Sequence, residues 1–387
     1  MNFSIKDVGL IAAGLYLLHL AVTQLVTAIS NRRFAAAHGC KPPYRVGCSL
    51  SPIGLRFFLG LIKAAERKEH VQYLCGGYAR LGRNTFETGD LGRTIIRTIE
   101  PENVKTLLAT KFKDFDLGPS RQFAFHELLG DGVFTLDGKG WEYSRAMLRP
   151  QFVREQVADV EMLDVHVTRL LDMMKAVGTA EVDLQPWIFG LTLDTATEFL
   201  FGESAESLVH GDADLKGFAY SFNEAQQWIM WKLRLQQMAF FTPSAMAAVN
   251  GSCHAFVDRY VNKTLAAKAA KAAAAAGTSG DGEAAPPKRY VFLDAVAESN
   301  RDPKALRDQM LNILLAGRDT TAGLIGWTLY SLSRHPEIYR KLRAELEAAF
   351  GTGKPGVWRR PTFETLKDVT YLRYVLNEGI FPFLPLQ

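Results

Sequence analysis

Cysteine is scarce and scattered in this chain of 387 residues. There are four, Cys40, Cys48, Cys75 and Cys253, with no C-x-x-C pair, and the eight histidines form no cluster. Zinc sites need grouped thiols or imidazoles, and disulfide scaffolds need dense cysteine, so both are excluded and reduced thiols are the default. No long basic run occurs and the net charge is only +4, which leaves no nucleic-acid surface. Internal repeats are also missing. What remains is ordinary globular material, 48% apolar and 22% charged, long enough for one large domain or two smaller ones.

Charge is absent from one particular place. Val8 to Ile29 is 22 residues without Asp, Glu, Lys or Arg. A helix of that length spans roughly 33 Å, enough to cross a bilayer core, and it exceeds the apolar region of a cleaved signal peptide. Arg32 and Arg33 follow it, which places the rest of the chain on the cytosolic side. Residues 1–30 are therefore expected to be a membrane anchor, with a buried soluble helix as the alternative that His19, Thr23, Gln24 and Thr27 leave open, and 31–44 a basic, proline-containing hinge ending in Lys41-Pro42-Pro43-Tyr44. Residues 45–387 form the body.

Within the body, Thr94 to Ile99 is rich in β-branched residues and predicts a strand, and Pro101-Glu102 opens a short helix. Gln151 to Phe256 carries helical spacing throughout. Residues 266–287, AAKAAKAAAAAGTSGDGEAAPP, are a low-complexity surface insertion whose alanine-rich half extends a helix. Asp302-Pro303 caps a helix predicted to run to about Leu332, and Pro336 to Gly351 bounds another. A last helical pattern covers Leu366 to Glu378. The fold class is mainly α with a small β-sheet.

The long helix contains LLAGRDTTAGLIGW, Leu314 to Trp327. Its three glycines each cost about 1 kcal/mol relative to alanine, and mid-helix threonine can bond back to the preceding turn. Two explanations stay open on these residues alone. Small residues serve close helix packing while Arg318 and Asp319 pair with a neighbour, or the helix opens locally and offers an acid and an alcohol for proton delivery. Elsewhere, Trp141 and Arg145 lie four apart on one predicted helix face, a spacing that suits a cation–π pair. His126, His166, His210 and His254 are isolated and suit core or surface roles. His335, just before Pro336, suits a cap. Trp228, Trp231, Phe240 and Phe241 fit either an apolar access path or ordinary core.

Ala316-Gly317-Arg318-Asp319-Thr320-Thr321 resembles the A-G-x-[DE]-T-[TS] motif of haem-thiolate monooxygenases, the cytochrome P-450 superfamily. TIEPENVKTLLATKFKDFDLG, LLGDGVFTLDGKGWEYSRAMLRPQF and LRDQMLNILLAGRDTTAG resemble its fungal alkane- and fatty-acid-hydroxylating branch. The resemblance implies a P-450-like fold binding haem b. Trp141 and Arg145 would hold a propionate, Ala316 and Gly317 would lie against the haem, and Asp319 and Thr320 would manage protons. Phe123, Phe125, Phe134 and Leu315 would line the substrate pocket, with an ordinary aromatic core as the alternative reading of the three phenylalanines. It further implies a long-chain alkane or fatty acid as substrate, NADPH-cytochrome reductase as electron donor, and a place at the endoplasmic reticulum membrane. LKDVTYLRYVLNE resembles the entry to the family's E-x-x-R helix, with Glu378 as its glutamate, but Phe381 stands where the arginine is expected. The cysteine loop of the family does not follow, so the resemblance implies a C-terminally truncated domain with no axial ligand among its own four cysteines. A truncated, non-catalytic, membrane-tethered remnant or fragment is the alternative expectation.

Overall fold

A computed structural model describes residues 5–46, 55–90, 93–153, 159–210, 217–235, 244–277, 290–352 and 358–380. The chain divides into two compact units, Met1–Phe112 and Lys113–Gln387.

The first unit opens with α1 (Ile5–Ala37) and β1 (Tyr44–Val46). Helix α1 continues through Arg32 and Arg33 to Ala37, because Phe34-Ala35-Ala36-Ala37 propagates a helix readily, and the connector expected from residue 31 is correspondingly short. Among the described residues no helix is long and apolar enough to cross a membrane. Part of the expected anchor lies outside them, since the side chains at 5–13, 17 and 20 are not described. Helices α2 (Leu55–Glu66) and α3 (His70–Leu81) precede β2 (Thr85–Asp90) and β3 (Arg93–Thr98). The sheet order is β1-β2-β3, with β1 parallel to β2 and β2 antiparallel to β3, pairing Thr85 with Thr98. The strand predicted over Thr94 to Ile99 is thus present. Phe86 is buried at its centre and packs its ring 4.8 Å from Tyr78 of α3. A Cβ on Gly60 would lie 2.3 Å from the Tyr73 hydroxyl oxygen, so α2 and α3 meet closely only because that residue is glycine. Helix α4 (Pro101–Lys105) starts at its expected proline, and a π-helical turn over Thr106–Thr110 follows it.

The second unit is helical. It comprises α5 (Pro119–Leu129), α6 (Gly138–Leu148), α7 (Val160–Val177), α8 (Leu184–Phe201), α9 (Ser207–His210), α10 (Phe218–Leu235), α11 (Ser244–Gly277), α12 (Phe292–Ser299), α13 (Pro303–Arg334), α14 (Pro336–Phe350), α15 (Phe363–Asp368) and α16 (Thr370–Ile380). The low-complexity segment contributes Ala266 to Gly277 to α11, and its remainder lies outside the described residues. The last pattern forms two helices, not one. Val369 leaves helical geometry at φ −75°, ψ 82°, and turns its buried side chain inward.

Helix α13 is the axis of this unit. Asp302 caps it, accepting from the Lys304 and Ala305 amides, and it stays α-helical to Arg334. The local opening considered for its glycine-rich middle does not occur. The Thr320 hydroxyl bonds to the Ala316 carbonyl at 2.7 Å within an intact helix, so the threonine is accommodated without a break. Its most extensive pairing is with α8. Leu306, Met310, Leu311 and Leu314 are fully buried, each contributing roughly 1.5–3 kcal/mol against exposure.

The same face carries buried polar groups. Asp308 Oδ2 accepts from the Asp131 amide at 2.9 Å and from Lys304 Nζ at 2.6 Å. Asn312 accepts from the Phe134 amide at 2.9 Å and donates to the carbonyls of Leu129 at 3.0 Å and Asp308 at 2.8 Å. The approach is so close that a Cβ on Gly130 would come within 2.1 Å of Asp308, and one on Gly132 within 2.2 Å of Asn312. Gly130 also has φ +59°, which other residues rarely adopt. Replacing Asn312→Leu keeps the volume and strands the Leu129 carbonyl and the Phe134 amide. The expected loss is about 2–4 kcal/mol, read by urea unfolding. A loss under about 1 kcal/mol would show that apolar packing alone holds the loop.

Candidate functional site

One turn in the middle of α13 sorts its side chains to different sides. Arg318 points inward and is 3% exposed. Its guanidinium carbon lies 4.9 Å from the Phe189 ring of α8 and 5.7 Å from the Phe222 ring of α10. Nη2 donates to Asn223 Oδ1 at 2.5 Å, and Nη1 to Asp319 Oδ1 at 3.2 Å. Asp319 is half-buried, and burial pushes its carboxyl above the usual carboxylate range, with Arg318 opposing the shift. Thr320 and Gly317 are exposed and Ala316 and Leu315 half-buried. Built Cβ atoms on Gly323 and Gly326 meet nothing within 4 Å. Close packing against a neighbouring helix therefore explains neither glycine, and the face stays open.

Two cavities flank Arg318. One, of about 470 Å³, has walls that include Trp187, Leu193 and Leu208. The other, of about 500 Å³, is an open groove that Asp319 lines together with Tyr220, Glu224, Gln226 and Gln227 of α10. Phe189, Asn223 and Arg318 belong to both.

Trp141 and Arg145 form a second locus on α6. The Arg145 guanidinium lies 5.4 Å from the Trp141 ring, on an exposed stretch of the helix. Helix α6 is pinned to α13 by Gln309, whose amide donates to the buried Ser144 hydroxyl at 3.0 Å. Gln309 precedes Asp319 by roughly 15 Å of helix, so the two groups occupy separate positions along α13.

The aromatic candidates are not gathered into one pocket. Phe125 is buried in the main core beneath Arg121, whose guanidinium lies 4.4 Å from its ring. Phe134 and Leu315 pack against that core, and Phe123 is 42% exposed beside Lys232 Nζ at 4.9 Å. None of the four lines either cavity beside Arg318. Trp228 and Trp231 meet edge to face at 5.7 Å, while Phe240 and Phe241 lie outside the described residues. The isolated histidines are structural. His166 meets Glu198 at 2.6 Å, His254 bonds the Leu128 carbonyl at 2.8 Å, and His126 faces Asp131 at 3.2 Å; the His210 side chain is not described. His335 makes no side-chain cap bond and faces Glu337. Missed in the sequence was the Arg318–Asn223 link. Its one signal was an arginine inside an apolar helix.

The family described as "Cytochrome P450" matches residues 51–380. The chain belongs to the cytochrome P450 family. Cytochrome P450 52A12 of Debaryomyces hansenii is 41% identical over 361 residues, covering 88% of this chain and 67% of the relative. Cytochrome P450 52A3-B of Candida maltosa is 38% identical, covering 93% and 69%. Cytochrome P450 52A1 of Candida tropicalis is 44% identical, covering 76% and 54%. The chain thus spans from about half to about two thirds of the length of these curated relatives. The crystal structure of the cytochrome P450DA heme domain superposes with a TM-score of 0.64 at 21% identity, over 88% of this chain and 70% of that one.

P450 membership implies a haem, and the residues described here fit part of its surroundings. An exposed guanidinium beside a tryptophan suits a propionate, and the open glycine face of α13 leaves room where side chains would obstruct. No thiolate ligand comes from the elements that build this site. Cys253 is fully buried in the core, and burial pushes its thiol up to about 12. Cys40 and Cys75 belong to the first unit, and no metal-binding group of three or more His, Cys, Asp or Glu occurs among the described residues. Thiol reagents applied to the native chain should label exposed Cys40 and spare Cys253, as peptide mass mapping would read. Equal labelling of the two would mean that the core around Cys253 opens.

Proposed function

We propose that this chain is a haem-dependent P450 monooxygenase that hydroxylates long-chain alkanes or fatty acids, using O₂ and electrons from an NADPH-cytochrome reductase. The observation that carries the proposal is Asp319, half-buried and holding its proton above the usual range, one residue from the Thr320 hydroxyl. Haem, when bound, supplies the redox chemistry that splits O₂ and oxidises a C–H bond. The chain's own residues do the rest. Arg145 and Trp141 would hold a propionate, and Ala316 and Gly317 would keep the helix surface low where the group lies against it. Asp319 takes a proton from solvent through the cavity it shares with Tyr220 and Glu224, and Thr320 passes one on when its O–H turns from the Ala316 carbonyl. Phe123, Phe134 and Leu315 contribute apolar surface on the substrate side, with Phe125 supporting them from the core.

Membrane attachment through α1 fits an apolar substrate. Leu15, Leu18, Val22, Leu25, Val26 and Ile29 are exposed along one side of that helix, and Arg32 and Arg33 follow. The proposed location is the endoplasmic reticulum membrane, with the body on the cytosolic side. Alkaline carbonate should leave the full chain in the membrane pellet and release a form lacking residues 1–30; release of both would remove the anchor from the proposal.

The catalytic test is a reduced, CO-treated difference spectrum of the full chain in membranes. A thiolate-haem band supports the proposal. Absence of the band sinks catalysis by this chain and favours a non-catalytic, membrane-tethered protein. Where the band forms, Asp319→Asn should cut product formation by about a hundredfold with haem content unchanged. Activity should also fall as pH rises through the elevated Asp319 pKa, because the proton is then lost.

A further inference from the structure

We infer that Arg318 is a positioning residue for Asp319. Braced by Asn223 and with two aromatic rings beside it, it fixes the carboxylate in the wall of the cavity on the α10 side. The catalytic meaning rests on the role proposed above for Asp319; the geometry does not.

A guanidinium that is 3% exposed occupies an expensive position, and burying a cation is tolerated only with charged or hydrogen-bonding partners. Arg318 has them on three elements. Phe189 of α8 and Phe222 of α10 present their ring faces, Asn223 of α10 accepts from Nη2, and Asp319 of α13 itself accepts from Nη1. Neighbouring residues on one helix point about 100° apart, so a bond between adjacent side chains requires the longer one to curl back. The Asn223 contact holds Nη2 while Nη1 reaches Asp319. The carboxylate therefore receives a donor from the buried side, and Asp319 lines the same cavity as Tyr220, Glu224, Gln226 and Gln227.

This arrangement reconciles two opposing demands on one acid. Burial raises its pKa and favours the protonated form, while the adjacent cation lowers it and keeps the proton releasable. Without Arg318, Asp319 would hold its proton more tightly and lose the donor that orients it. The other ionisable groups facing the same cavity are Glu224 and Tyr220, both on α10. Glu224 is already engaged by Gln227, whose amide donates to it at 3.2 Å. They would perturb the titration of Asp319 without replacing its cation.

The test is an infrared pH titration of the full chain, with the Asp319 carboxyl band identified by its loss in Asp319→Asn. Arg318→Gln is expected to raise the proton affinity of Asp319 at least tenfold, a midpoint shift of one pH unit or more. Arg318→Lys should restore part of the shift, because it returns the charge without the fork. Asn223→Leu should move the midpoint the same way by a smaller amount. A shift below threefold in folded Arg318→Gln overturns the inference. Should that variant fail to fold, an unchanged midpoint in Asn223→Leu overturns it instead. The measurement needs no turnover, so a chain that binds no haem defeats the proposed function and leaves this result readable.

Discussion

The second unit depends on two polar side chains one turn apart on α13, Asp308 and Asn312. Both are almost completely buried, a position that costs several kcal/mol for an unpaired charge or amide. Each is satisfied by the loop between α5 and α6. That loop supplies amides at Asp131 and Phe134, the last residue of α5 supplies the Leu129 carbonyl, and the loop glycines let the backbone approach within hydrogen-bond distance. The dependence runs both ways, since neither the loop nor the helix can shed its partner without stranding buried polar atoms. Helix α6 follows directly, so Trp141 and Arg145 inherit their position from this seam and from the Gln309–Ser144 bond.

Charge placement follows the same economy elsewhere. Lys304 bridges Asp131 and Asp308 at the exposed end of the seam. Lys232, buried on α10, pairs with Glu127 of α5 at 2.8 Å. Asp194 sits inside α8 and caps the short α9 by accepting from the amides of Ser207 and Leu208. In each case a buried charge ties a loop or a second helix to a long one, and removing one partner would leave an uncompensated ion. Arg318 follows the pattern at the centre of α13.

Much of this was legible in the sequence because the signals were local. Asp302-Pro303 fixed the start of α13, Pro336 and Gly351 bounded α14, and β-branched residues marked β3. The α/β balance and the A-G-x-D-T-T turn followed from spacing and motif. Other features were illegible because they depend on distant partners. Asp308 and Asn312 look like ordinary polar interruptions until Leu129 to Phe134 is folded against them. Val369 reads as one more apolar helix position, yet it breaks the helix to reach the interior. Phe125 could not be assigned to core or pocket from its type alone, since both environments take phenylalanine and only Arg121 and the surrounding leucines decide.

The bond from Thr320 to the Ala316 carbonyl shows how a helix can keep a polar group in reserve. That oxygen belongs to an intact helix, where it also serves the backbone amide one turn on, so the hydroxyl is a second guest and not the one that holds the turn together. Rotation about one side-chain torsion releases the O–H without costing a backbone bond. The helix thus behaves as a rigid rail on which this hydroxyl can swivel, its stiffness residing in bonds that the rotation leaves intact.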